Sequence, residues 1–187
     1  MNTNFLRMAI FVLGAVAIVL VGTLLWFGLS SQRNPADFPT STSIQPDFSA
    51  FGQGRALPGF EDFSDIAAVR AGVEGPFVVN FFASWCQPCR LEHPYLLEFG
   101  AANPGRLIGL AYRDDPINAA TYLTTDGNPY AAVLADTDSL NALNFGLTGV
   151  PETYVFSADG NLLFRSPGPL IGALKSQFID AWAAAQK

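Results

Sequence analysis

Apolar residues first run unbroken along this chain. Residues 8–29 carry no charge and are mostly Ala, Ile, Leu, Val and Phe; at ~1.5 Å per residue, a helix of that length crosses a ~30 Å hydrocarbon layer. Trp26 and Phe27 sit near its far end, where aromatic rings favour the interface. A cleaved signal is the rival reading, because Gly28-Leu29-Ser30 places small residues two apart. The apolar core of such a signal spans only ~7–15 residues, so we expect an uncleaved anchor over residues 1–30. Arg7 and the N-terminal amine precede the run and Arg33 follows it, a slight excess that predicts N-in topology with the large domain outside. Residues 31–46 hold Pro35, Pro39 and Pro46 among Ser and Thr and read as an exposed linker. Residues 47–187 remain for one domain.

Beyond the linker the pattern shortens. Residues 47–51 suggest an edge strand; Gly52, Gly54, Pro58 and Gly59 make a loop. Residues 64–70 read as a short helix with Ser64 as cap and Gly72 as stop. Phe77, Val78, Val79, Phe81 and Phe82 then form a run suited to a fully buried strand. Leu91, Tyr95, Leu96 and Phe99 recur at helical spacing, with Pro94 inside that helix expected to kink it. Residues 107–112 predict the next strand. Asp115 caps, and Pro116 opens, a helix running to about residue 124. A turn at Asn128-Pro129, a strand over 131–134 and a helix over 138–144 stopped at Gly146 follow. Strands over 153–156 and 162–165 join through Asp159-Gly160 as a hairpin. The last helix, 170–185, is expected to bury Ile171, Leu174, Phe178, Ile179 and Trp182. This order of strands and helices predicts an α/β domain, a central mixed sheet with helices on both faces.

Composition narrows the chemistry. A net charge of -6 argues against a nucleic-acid partner. No Rossmann or phosphate-loop glycine pattern and no CxxCH run is present, so no cofactor is expected. The chain has two cysteines, Cys86 and Cys89, and one histidine. One CxxC in a domain outside the membrane suits a redox protein in an oxidising compartment.

The cysteines fall where the buried strand turns into a helix. Unpaired N–H groups and the macrodipole favour negative charge there, which activates a thiolate. Two intervening residues let the cysteines close a disulfide, with Cys86 at the exposed mouth of the turn as attacking group and Cys89 one turn inward as resolving group. A zinc site needs four ligands, which two Cys and His93 do not supply; no metal is expected. A purely structural disulfide closing so small a loop removes little chain entropy. Trp85 would shield the disulfide and offer substrate an apolar contact. His93 faces about 100° away from Glu92 on a helix and reads as a surface or packing residue. Asp114 and Asp115 are most simply helix-capping residues.

Trp85-Cys86-Gln87-Pro88-Cys89 after a buried strand, Pro94 five residues past Cys89, and Val150-Pro151 before the hairpin together resemble the thioredoxin superfamily, over about residues 47–185. The resemblance implies a thioredoxin-like fold behind a single N-terminal transmembrane helix. It also implies a cis bond before Pro151, packed against the cysteine pair, with Val150 as an edge for an extended substrate segment. Four further runs are more specific: Cys89-Arg90-Leu91-Glu92-His93, Tyr112-Arg113-Asp114-Asp115, Asn128-Pro129-Tyr130 and Gly149-Val150-Pro151-Glu152-Thr153. With the anchor, they resemble the CcmG/DsbE proteins of cytochrome c maturation. That family implies a membrane-tethered periplasmic reductant in a bacterial inner membrane. Its clients are apocytochrome c or haem-ligation thiol proteins, and its electrons come from a DsbD/CcdA-type transporter. Ordinary thioredoxins carry a buried Asp six residues before the first Cys, where this chain has Asn80. We therefore expect Glu92 to handle the proton of Cys89 and Glu152 to shape substrate contact. The alternatives are a general periplasmic disulfide reductase or oxidase, or a thiol metallochaperone; the only methionines, Met1 and Met8, lie outside the domain.

Overall fold

The computed structural model describes residues 14, 16, 18–24, 46, 54–63 and 75–187. The chain divides into two compact units, Met1–Pro39 and Thr40–Lys187. In the first, residues 14, 16 and 18–24 are helical; among the described residues no helix is long and apolar enough to cross a membrane. The rest of the expected anchor, most of the linker, the strand at 47–51 and the helix at 64–70 lie outside the described residues.

In the second unit a five-stranded mixed sheet carries the site. Its strands are β1 (Phe77–Phe82), β2 (Leu107–Tyr112), β3 (Ala132–Asp136), β4 (Glu152–Phe156) and β5 (Leu162–Ser166). They lie in the order β3-β2-β1-β4-β5. The β1–β2 and β2–β3 pairs are parallel and the β1–β4 and β4–β5 pairs antiparallel. The helices are α1 (Gln87–Ala102), α2 (Pro116–Asp126), α3 (Leu140–Asn144) and α4 (Gly172–Ala185). Before β1 stands a 3-10 helix, Glu61–Phe63.

Alternation along the strands sorts side chains into two layers. Val78, Phe82, Ala111 and Val155 join Leu96 and Phe99 of α1, Leu123 of α2 and Phe178 of α4 in one core cluster. Phe77, Val79, Phe81, Tyr154 and Phe156 join Ala142 and Phe145 in the other. β1 is buried along its whole length, because it is central and covered on both faces. The same period decides where polar residues point. Asn80 and Thr153, which are register partners, face the α1 layer, whereas Glu152 lies on the Tyr154 side of β4.

Several boundaries differ from expectation for local reasons. α3 begins at Leu140, because Ser139 takes a left-handed conformation and the Asp136 carboxylate accepts the first helical N–H groups, of Asn141 and Ala142. α4 begins at Gly172, because Ile171 is extended, with φ -128° and ψ 155°. On α4 only Phe178 is buried, ringed by Tyr95, Phe99 and Phe164. Ile171 and Ile179, expected inside, are 48% and 47% exposed. Trp182, also expected inside, is half-buried and packs edge-on against Phe99, so α4 covers a narrower stripe than its sequence offers.

Candidate active site

β1 delivers the cysteines. After Phe82 the chain turns through Ala83-Ser84-Trp85, closed by a Cys86 N–H to Ala83 C=O hydrogen bond of 3.1 Å, and enters α1. Cys86 is the N-cap, and its Sγ accepts the Cys89 N–H at 3.1 Å. That donor and the helix N-terminus behind it favour negative charge on this sulfur. Cys86 and Cys89 are joined as a disulfide with Cα atoms 5.3 Å apart. Cys86 was expected at an exposed mouth, but it is 3% exposed and Cys89 2%. The bond holds both sulfurs inside one core cluster. What separates the cysteines is capping, not exposure. Trp85 is the exposed neighbour, at 60%.

Glu92, one turn past Cys89, is 1% exposed and makes only uncharged contacts. Its Oε1 accepts from Asn80 Nδ2 at 2.9 Å and its Oε2 from the Leu170 N–H at 2.7 Å. Asn80 in turn donates to Thr153 Oγ1 at 3.0 Å and accepts the Tyr130 hydroxyl at 2.7 Å. Burial pushes the Glu92 carboxyl up to about 7, against the lowering effect of the Leu170 and Asn80 hydrogen bonds. Desolvation outweighs two donors because, among the described residues, no cation answers the charge. A carboxyl poised near neutrality, on the helix that carries the disulfide, can take or give a proton there.

The Val150–Pro151 bond is cis. Pro151 is buried, and half-buried Val150 packs against the cluster that contains the cysteines. Glu152 needs correction as a substrate contact, since it is 0% exposed and points to the opposite sheet face from Glu92. Its Oε1 accepts from Arg165 Nε, and its Oε2 accepts the Thr148 N–H at 2.9 Å and hydroxyl at 3.2 Å. Arg165 also donates to Gly146 C=O at 2.9 Å. Glu152 therefore shapes the loop before Pro151 from beneath.

His93 is 4% exposed, its ring 4.9 Å from that of Tyr122, with Nε2 within 3.2 Å of the Asp126 and Gly127 carbonyls at the end of α2. It is a packing residue. Asp115 caps α2, accepting from the Ile117 and Asn118 N–H groups. Asp114 does not cap; its carboxylate turns inward to Ser84. Sequence reasoning missed Arg165, Tyr130, Thr153 and the Leu170 N–H. Alternation from Tyr154 would have put Thr153 on the α1 face and Glu152 opposite. Tyr130 stood in the Asn128-Pro129-Tyr130 run, but nothing local points to its contact with Asn80, 50 residues away.

Comparison with known proteins agrees with this geometry. The Redoxin family model matches residues 61–178. The thiol:disulfide interchange protein CycY of Rhizobium leguminosarum is 37% identical over 139 residues, 73% of this chain and 71% of that one. The chain belongs to the DsbE-type thiol:disulfide interchange proteins. A DsbE homologue of Paracoccus denitrificans is 35% identical over 144 residues, covering 77% of each chain. A crystal structure of a thioredoxin-family thiol:disulfide interchange protein from Chlorobium tepidum superposes with a TM-score of 0.52 at 30% identity, over 65% of this chain and 84% of that one. As a DsbE-type protein the chain is a thiol:disulfide oxidoreductase with a thioredoxin-like fold, and it carries a Cys-X-X-Cys pair closed as the Cys86–Cys89 disulfide.

Proposed function

We propose that this protein is a membrane-anchored periplasmic reductant of cytochrome c maturation. The observation that carries the reading is the Cys86–Cys89 disulfide capping α1, with the buried Glu92 carboxyl one turn further along the same helix. In the reduced protein the Cys86 thiolate attacks one sulfur of a substrate disulfide. A Cys86–substrate bond forms as the first substrate thiolate leaves. Cys89 passes its proton to Glu92 and attacks Cys86 Sγ, restoring the internal disulfide and releasing the second substrate thiolate. Two electrons pass to substrate, and two protons complete its thiols. Trp85 and the Val150–Pro151 edge bind the substrate segment, and Glu152 holds that edge in place. Apocytochrome c or its haem-ligation partners are the clients. A DsbD/CcdA-type membrane transporter returns two electrons to the disulfide. Residues 1–30 tether the domain to the inner membrane with the N-terminus cytoplasmic, and residues 31–46 span to the domain at 47–187.

Client trapping tests this. Cys89→Ser leaves Cys86 able to attack but removes the resolving thiol, so mixed disulfides persist and are identified by mass spectrometry. Apocytochromes c or haem-ligation proteins should dominate the adducts. A broad spread of unrelated secreted proteins would demote the chain to a general disulfide-exchange enzyme, and an absence of adducts would turn attention to metal handling.

A further inference from the structure

Among the described residues, two that are not glycine hold φ in the left-handed region, Arg113 at +46° and Ser139 at +64°. A Cβ is strained there, and such strain persists where surrounding contacts enforce it. Here those contacts are visible. Arg113 Nε donates to Ser139 Oγ at 2.9 Å, and the N–H groups of both residues donate to Asp136 C=O at 3.3 Å. The turn after β2 is thereby tied to the end of β3.

This turn aims its polar groups at the start of the active-site segment. The Arg113 carbonyl accepts the Trp85 indole N–H at 3.3 Å. The Asp114 carboxylate, 5% exposed, accepts the Ser84 N–H at 2.5 Å and the Ser84 hydroxyl at 2.9 Å. Arg90 donates to the Ser84 carbonyl at 3.0 Å and, through its other nitrogen, to Asp126 at 2.6 Å. Ser84 is held at its N–H, its hydroxyl and its carbonyl. The next two residues are the exposed Trp85 and the reactive Cys86.

An exposed side chain that is free to rotate loses that freedom when a partner docks on it, whereas one fixed beforehand does not. We propose that Asp114 is a positioning residue of the exchange reaction. With the Arg113 carbonyl it holds the Ser84–Trp85 turn so that the indole stands as a rigid apolar platform for a polypeptide segment bearing the disulfide. The proposal rests on the exchange reading above and deepens it by naming the group that positions Trp85 for its polypeptide clients. The platform contributes to binding, and the bond exchange itself stays with the cysteines.

The test uses the full chain in detergent micelles, reduced, acting on a disulfide-bonded polypeptide and separately on oxidised glutathione. The indole N–H resonance of Trp85, assigned by its loss in Trp85→Phe, is followed in parallel. Asp114→Ala removes both hydrogen bonds to Ser84 and should raise KM for the polypeptide by about tenfold or more. It should also displace the indole resonance, while turnover of oxidised glutathione stays within about twofold. Asp114→Asn should restore both readouts, because its amide oxygen still accepts the Ser84 N–H and its nitrogen donates to the Ser84 hydroxyl. If Asp114→Ala fails to fold, Ser84→Ala, which removes only the hydroxyl contact, should move both readouts the same way by a smaller amount. An unmoved indole resonance with an unchanged KM overturns the proposal, and so does an equal loss on both substrates. If the wild-type chain exchanges with neither disulfide, the exchange reading fails, and the indole response alone decides whether Asp114 positions Trp85.

Discussion

Two buried glutamates of this domain look alike by burial and differ in everything else. Glu92 is 1% exposed and Glu152 0%. Glu92 faces the amide of Asn80 and the Leu170 N–H, all dipoles. Glu152 faces the guanidinium of Arg165, itself tied to Gly146 C=O. The first therefore holds its proton to near neutrality and can exchange it. The second is an anchor that fixes the loop before Pro151. Burial alone does not determine what a carboxylate does; the charge opposite it does.

Removing the cation is the strongest way to break this contrast. Arg165→Met leaves the buried Glu152 without its cation and should cost about 4 kcal/mol of stability at neutral pH. Urea denaturation at neutral pH reads the effect. A loss of about 1 kcal/mol or less, the range of a solvent-screened pair, would mean that Arg165 does not anchor Glu152.

Glu92→Gln sharpens the other half. The folded-state value is about 7 against 4.5 for the free group, so the folded protein binds the proton more tightly than the unfolded chain. That contribution is full below pH 4.5 and is lost as the pH rises through about 7. The wild type should therefore lose about 3 kcal/mol across this window relative to the variant. The variant pays a pH-independent penalty instead, since its amide nitrogen must face a donor. Parallel stability curves for the two proteins would contradict the assignment.

The smallest effect is expected at Tyr130→Phe. It removes the hydroxyl that donates to Asn80 at 2.7 Å and should cost about 1 kcal/mol. The pH slope carried by Glu92 should survive, because the Asn80 and Leu170 donors remain. Loss of that slope in denaturation curves would show that Tyr130 governs the Glu92 proton as well.

Much of the site was legible because it is local. A buried apolar run ending in Ser84-Trp85-Cys86 places the disulfide at a helix N-terminus whatever surrounds it, and the spacing from Cys89 puts Glu92 on the same helix. The Asp115-Pro116 cap and the Asp159-Gly160 turn are likewise decided by neighbours in the chain. The expectation for Glu152 missed its direction, because a residue beside a proline says nothing about what lies under its face of the sheet. Asp114 was misread for the same reason: its partner Ser84 is 30 residues away.

The sequence by itself therefore determined the order of strands and helices from β1 onward, the cysteine pair at a helix N-terminus, and the presence of acids nearby. These follow from periodicity and from contacts within a few residues. Only the tertiary structure decided what each acid does. Asn80 meets Glu92 across 12 residues, Leu170 across 78, and Arg165 meets Glu152 across 13. Packing brings those groups together, and the partner each carboxylate meets, an amide or a guanidinium, sets whether it carries a proton or holds a loop.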